Sequence, residues 1–273
     1  MIRVAILTSS ELRHTFFRKY LALQKGIEVL VSFCESSENN LIHKVQDENP
    51  NDLRYKHLQA RKQAEQDFFA LFCDNTLEKS NSITIPKGAI NDAKYREQLI
   101  KLNPDIVVSF GCSIIKPELI DAFSDKFINI HLGLSPHYRG SGTNFWPFVN
   151  FQPEYCGVTF MRIDTGIDTG EVIHQLRPQI FPTDNFHTIC NRLLKTMAEV
   201  CVEILYHFNI LVTMPQLIVN QGSKYYKNSD FTERSVGIMK KNFNAGMIND
   251  YLKDKNTRDY MVPIICNSAF TCD

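Results

Sequence analysis

The sequence lacks several things that would have decided its class at once. There is no excess of either charge: 30 Lys plus Arg offset 30 Asp plus Glu. A neutral chain has no general electrostatic pull toward a polyphosphate or an anionic membrane, so neither nucleic acid nor membrane is an expected partner. No apolar run approaches the roughly 18 residues that a membrane helix needs. The opening MIRVAILTSSELRHTFF has too short an apolar run for a signal peptide. Eight cysteines are scattered without one C-x-x-C pair, which argues against a zinc cluster or a disulfide framework and for reduced thiols in the cytoplasm. No glycine precedes Gly26, so the first strand-to-helix turn has no G-x-G-x-x-G to cradle a dinucleotide. A G-x-x-x-x-G-K-[ST] loop and a G-x-S-x-G elbow are absent as well, which excludes the usual phosphoryl-transfer and serine-hydrolase signatures.

What is present is a globular mix, 44% hydrophobic and 22% charged over 273 residues, enough for a sizeable core. Ile2–Thr8 and Glu28–Phe33 read as short buried strands around a helix from about Glu11 to Leu23, the opening of a βαβ unit. Asp52–Cys73 reads as one long amphipathic helix with a large solvated face. Ile83–Ile85 is a candidate strand and Asp92–Leu102 a candidate helix, followed by the strands IVVSF, which ends at Gly111, and Lys126–His131. Such uniformly apolar runs suit a parallel sheet covered on both faces. CGVTFMRI and EVIHQL form two further strands around the turn DTGIDTG. Thr183 and Asp184 are candidate caps for a helix reaching about Phe208. The expected fold is α/β, a Rossmann-like, mostly parallel sheet flanked by helices. Residues 1–213 form its catalytic domain and 214–273 a small C-terminal extension, read as a hairpin with one or two short helices.

The segment INIHLGLSPHYRGSGTNFWP is the richest in chemistry. Asn129 and His131 stand two apart on a strand, so they share a face. They also lie at its C-terminal end, where open α/β sheets place their ligand crevice. A carboxamide beside an imidazole can stabilise an oxyanion or move a proton. The same pair could equally be a turn cap and a core histidine. In DTGIDTG, Asp164 and Asp168 could orient a partner or merely shape a turn; the ligand ladder of a calcium loop is missing.

Taken together, N-x-H with S-P-H-Y-R-G, then D-T-G-I-D-T-G, resemble the folate-dependent formyltransferases, whose members act on methionyl-tRNA, glycinamide ribonucleotide or nucleotide-linked sugars. PDIVVSFGCSIIKPELI and TDNFHTICNRLL extend the likeness, which is clear over roughly residues 100–205. The resemblance implies an Asn129–His131–Asp168 triad, with Asp168 preferred to Asp164 because the family's aspartate opens the D-[TA]-G that precedes the outgoing strand. It implies 10-formyltetrahydrofolate as co-substrate and no metal. Backbone contacts to the pterin would come from Gly111, Cys112, Ile114 and Ile115, with the turn from Ile163 through Gly166 to Asp168 closing over it. Cys112 is then a pocket wall rather than a nucleophile. Arg13, His14, His137 and Arg139 are candidate acceptor contacts, Arg13 and His14 taking the place of a glycine-rich phosphate loop. Phe145, Trp146 and Phe148 read as core.

The tail from Met214 carries eight Lys plus Arg against six Asp plus Glu, a weak surplus for tRNA. Its G-x-x-Y-x-x-x-x-D-F (Gly222, Tyr225, Asp230, Phe231) is similar to the sugar N-formyltransferases. The expected acceptor is therefore a nucleotide-linked amino sugar, with Tyr225 and Phe231 as walls for its base or as part of a homodimer contact. A methionyl-tRNA formyltransferase, a formyltetrahydrofolate hydrolase and a non-catalytic folate- or sugar-binding module are the alternatives.

Overall fold

A computed structural model describes residues 1–37, 41–49, 51–216 and 223–269. Strand β1 (Ile2–Ser9) leads through helix α1 (Leu12–Ala22) to β2 (Ile27–Glu35), and the two strands pair in parallel. Helices α2 (Leu41–Glu48) and α3 (Leu53–Asn75) precede β3 (Ser82–Ile85), and α4 (Ala93–Leu102) precedes β4 (Ile106–Phe110). After α5 (Pro117–Ala122) comes β5 (Phe127–His131). The short β6 (Tyr138–Gly140) and α6 (Trp146–Val149) follow, then β7 (Val158–Arg162) and β8 (Val172–Leu176). The main sheet has seven strands in the order β3-β2-β1-β4-β5-β7-β8, and only β7 and β8 run antiparallel to their neighbours.

Strand alternation explains why these runs are apolar throughout. Val4 and Ile6 of β1 join one core, beneath α1, α3 and the long helix α7 (Phe186–Tyr206), while Ala5 and Leu7 join a second core beneath α4 and α5. Each β1 side chain therefore faces a helix layer on one side or the other. The chain leaves β1 in opposite directions through β2 and β4, so the crevice at their C-terminal ends is the switch point where such sheets bind ligands.

The expectations for Thr183, Asp184 and the tail require correction. The cap of α7 is Asn185, whose Oδ1 accepts from the His187 and Thr188 amides at 2.9 and 3.0 Å. Thr188 returns the bond, its Oγ1 accepting from the Asn185 amide. Asp184 instead holds Arg192, at 2.8 Å. The tail contains no hairpin among the described residues. Its strand β9 (Lys224–Tyr226) pairs in parallel with β6, because Tyr226 has a flat partner to cover: its ring stacks on Trp146 at 4.1 Å and 6°. Three helices complete it, α8 (Glu233–Asn244), α9 (Met247–Lys253) and α10 (Lys255–Met261). Val236, Met239, Met247, Ile248 and Tyr251 bury into the core that holds α1 and α7. Helix α2 is an addition to the elements expected from the sequence.

No helix among the described residues is long and apolar enough to cross a membrane. Seven cysteines are described, all free, and Cys272 and Gly222 lie outside the described residues. The capping assignment has a direct test. Asn185→Ala should lower stability by about 1 kcal/mol, whereas Thr183→Ala should stay within about 0.5 kcal/mol of wild type, both read from urea midpoints.

Candidate active site

A cavity of about 540 Å³ opens at the C-terminal edge of the sheet. Asn129 and His131 reach it from the end of β5, Gly111 and Cys112 from just beyond β4, and Arg13 and His14 from the start of α1. His131 is 6% exposed, and its Nδ1 lies 3.1 Å from Asp168 Oδ1. Its Nε2 lies 3.0 Å from the Tyr138 carbonyl. Both ring nitrogens thus face an oxygen atom.

Asp168 is held from several directions. Its Oδ2 accepts from the Gly140 amide at 3.0 Å, and its backbone carbonyl accepts from Gln216 Nε2 at 2.8 Å. Its φ of 55° is left-handed, a conformation that costs a non-glycine residue about 1–3 kcal/mol and persists only where surrounding bonds impose it. Burial alone would raise its carboxyl, but the hydrogen bond and charge of His131, then the Gly140 amide and Arg139, outweigh burial and hold it below its ordinary range. Asp164 plays a different part, its carboxylate accepting from the Gly166 amide and from Thr169 Oγ1 inside the turn.

Asn129 is oriented by a residue that the sequence did not single out. Ser109 Oγ, buried on β4, lies 2.8 Å from Asn129 Oδ1 and 3.4 Å from the Ile128 carbonyl. One hydroxyl proton serves one acceptor well, and the shorter contact takes it. The amide oxygen is thereby turned to the strand and Nδ2 is left for the cavity.

The other expected contacts divide. Gly111 has φ of 67°, and a Cβ there would sit 2.4 Å from His14 Nε2, so that turn needs glycine. Burial, reinforced by the Glu35 charge, pushes the Cys112 thiol up to about 12, which leaves it a wall rather than a nucleophile. Ile114 is 73% exposed, Ile115 and Ile163 pack into or against the second core, and Gly166 belongs to the turn; none of the four lines the cavity. Arg13 and His14 do line it, but Arg13 Nη1 is 2.7 Å from Glu65 and His14 Nδ1 is 2.9 Å from Glu11. His137 packs edge-on against Tyr155 at 5.0 Å, away from the cavity lining. Arg139 also lies outside the lining and donates to Ser223 Oγ at 2.7 Å. Phe145 and Trp146 serve both as core and as cavity wall, while Phe148 is core alone.

The remaining wall was not legible in the sequence. His57, Arg61 and Glu65 recur every four residues on α3, and the His57 and His187 rings lie 4.9 Å apart. The tail closes this side with Phe231, whose ring lies 5.3 Å from Phe145. Among the described residues no group of three or more His, Cys, Asp or Glu is placed to hold a metal ion.

The Asp168–His131 pair has a pH signature with a definite sign. Because the folded carboxyl sits below its unfolded value, it contributes stability above the ordinary carboxylate range and loses it as pH falls through the folded value. Asn tolerates left-handed backbone, so Asp168→Asn removes the charge with little added strain. Urea unfolding should find the variant less stable near about pH 7, with the gap closing toward about pH 3. A gap independent of pH would detach Asp168 from His131.

The family described as Formyl transferase matches residues 50–205, more than half of the chain. A methionyl-tRNA formyltransferase of Koribacter versatilis (strain Ellin345) is 32% identical over 146 residues, which are 52% of this chain and 46% of that protein. The chain thus matches less than half the length of that relative. Among solved structures, a 4-N formyltransferase from Francisella tularensis aligns with a TM-score of 0.55 at 18% identity, covering 84% of this chain and 78% of the other. A phosphoribosylglycinamide formyltransferase from Streptococcus pneumoniae TIGR4 aligns with a TM-score of 0.51 at 20% identity, covering 77% and 99%. These two share the fold. With residues 50–205 running from α3 into α7, and with Asn129, His131 and Asp168 gathered at one cavity inside that span, the chain belongs to the formyl transferase family.

Proposed function

We propose that the protein transfers a formyl group from 10-formyltetrahydrofolate to a primary amine, and that the amine belongs to a nucleotide-linked amino sugar. The observation that carries the first part is the convergence of a free Asn129 amide N–H and the His131–Asp168 pair on one cavity. The cavity is in the size range of small-molecule sites, and Gly111 and Cys112 supply a backbone-rich wall beside it.

The co-substrate supplies an activated formyl carbon, and the residues do the rest. As the acceptor nitrogen bonds to that carbon, negative charge grows on the formyl oxygen. Asn129 Nδ2 is placed to donate to it, and Ser109 keeps the amide from flipping. His131, held between Asp168 and the Tyr138 carbonyl, supplies positive charge beside the same oxygen. The attacking amine must lose a proton as its bond forms, and the Asp168 carboxylate is the acceptor within the cavity, directly or through water. Cleavage of the bond from carbon to the folate nitrogen then returns a proton to that nitrogen. The sum is one formamide and one tetrahydrofolate.

The sugar reading is supported by the tail, where Lys227, Asn228 and Phe231 close the cavity, and by a neutral chain with little attraction for a long polyanion. The methionyl-tRNA reading draws on the relative at 32% identity and is the second candidate. The discriminating experiment is single-turnover transfer from formyl-labelled 10-formyltetrahydrofolate, offered a uridine or thymidine diphosphate amino sugar, methionyl-tRNA, or water alone. Label is expected in the sugar formamide. Label in tRNA would exchange the acceptor, and release as formate would make the protein a hydrolase. Asn129→Ala should lower transfer by about 100–1,000-fold, as loss of an oxyanion donor does elsewhere. Ser109→Ala should cost about 2- to 10-fold in kcat with the Michaelis constants little changed, the effect of one lost hydrogen bond.

A further inference from the structure

Four Lys and Arg side chains line the cavity, and they are not equivalent. Arg13 Nη1 holds Glu65 Oε1 at 2.7 Å. Lys87 Nζ holds the fully buried Glu35 at 3.1 Å. Lys227 belongs to the exposed tail at the rim. Arg61 is different: its Nε comes only within 3.8 Å of Glu65 Oε1, the oxygen that Arg13 already occupies. Among the described residues the Arg61 guanidinium makes no hydrogen bond, and 38% of its side chain stays accessible beside the cavity. A guanidinium carries five N–H donors in a rigid fork, and a cavity that leaves them unused has room for an oxyanion.

The surroundings fit such a ligand. His57 and His187 stand on the same wall, burial first holding them down to about 3 and about 4, so they are neutral near neutral pH. The charge of Arg61 adds to that depression in both. Among the described residues Nδ1 of His187 has no hydrogen-bond partner, and it is buried. Phe231 adds a flat apolar face, its ring 5.9 Å from His57. This wall comes from α3, α7 and the tail, elements of the first core. Gly111 and Cys112 follow β4 and line the same cavity, and Cys112 packs against the second core. A cavity of about 540 Å³ lined also by Asn129 and His131 has room for a ligand at Arg61 as well as one at Gly111.

We propose that Arg61 is the recognition group for a phosphate of the amine-bearing acceptor, with His187 and Phe231 completing the subsite. The proposal rests on the formyl-transfer reading for the identity of that ligand, but the subsite's chemistry can be tested without any transfer. Isothermal titration of the full chain with inorganic pyrophosphate should show binding that weakens with salt. Arg61→Gln should weaken it by about tenfold or more, the usual worth of hydrogen bonds to a charged group. Arg61→Lys, which keeps the charge but loses the fork, should fall between the two. Lys62→Gln, one residue on and exposed, should bind as wild type does. Near-ultraviolet circular dichroism checks that each variant is folded, and Arg61→Lys serves if Arg61→Gln is not. Pyrophosphate affinity equal within about twofold in wild type and both Arg61 variants would overturn the proposal, as would no binding by wild type at millimolar ligand. A second arm titrates tetrahydrofolate carrying a polyglutamate tail. If Arg61→Gln weakens that ligand and spares pyrophosphate, the anion is a folate carboxylate and the assignment is wrong. Intact pyrophosphate binding in a protein that transfers no formyl group would sink the catalytic reading and leave the subsite standing.

Discussion

The site depends on one carboxylate that ties three segments together. Asp168 meets His131 from the end of β5, the Gly140 amide from β6, and through its backbone carbonyl Gln216 from the start of the tail. The left-handed backbone of Asp168 is what lets its side chain turn back toward β5 while the chain continues into β8. Gly170 makes the same turn possible from the other side, since a Cβ there would lie 1.8 Å from the Arg162 carbonyl. The strain in this turn is local, and the bonds that hold it are the ones that orient His131. Geometry and chemistry are therefore not separable here: a change that relaxes the turn also frees the imidazole.

The tail is coupled to the site by packing as well as by Gln216. Tyr226 lies flat on Trp146, and Asn150 donates to the hydroxyls of Tyr138 and Tyr226 at 2.9 and 3.0 Å. Gly140 has φ of 93°, and a Cβ there would come within 2.2 Å of the Tyr226 carbonyl, so β9 can approach β6 only at a glycine. Tyr138, whose carbonyl faces His131, is thus fixed by residues more than eighty positions away. Residues 233–252 add their apolar side chains to the same core as α1 and α7, so the tail shares in the stability of the segment that carries the site.

Charge in the cavity follows a similar logic of shared partners. Glu65 and Glu11 are spread over Arg13, Arg61 and His14 within one small volume. Burying ionic groups is costly unless each finds a partner, and Arg13 has its own in Glu65. Arg61 has the weakest claim on an oxygen, 3.8 Å from the Glu65 Oε1 that Arg13 holds at 2.7 Å. Where a protein leaves a cavity-lining guanidinium in that condition, the missing oxygen is most readily supplied by a ligand.

Much of this protein is decided by local sequence. The apolar runs of β1, β4 and β5 dictate buried parallel strands, because only a sheet covered on both faces suits side chains that are apolar on both. The N-x-H spacing puts Asn129 and His131 on one face, and the DTGIDTG turn supplies two carboxylates close by. What orients Asn129, and where His57, Arg61, His187 and Phe231 converge, were decided only by tertiary structure. A cavity-facing stripe of His57, Arg61 and Glu65 looks, in a charged helix, the same as a solvated one, because spacing records which residues share a face and not what covers it. The Asn185 cap and the β9–β6 pairing depended on competition between neighbours, Asp184 being drawn off by Arg192 and Tyr226 by Trp146. Local sequence sets periodicity and turn chemistry; partners far apart in the chain are chosen by burial and shape, which exist only once the chain has folded.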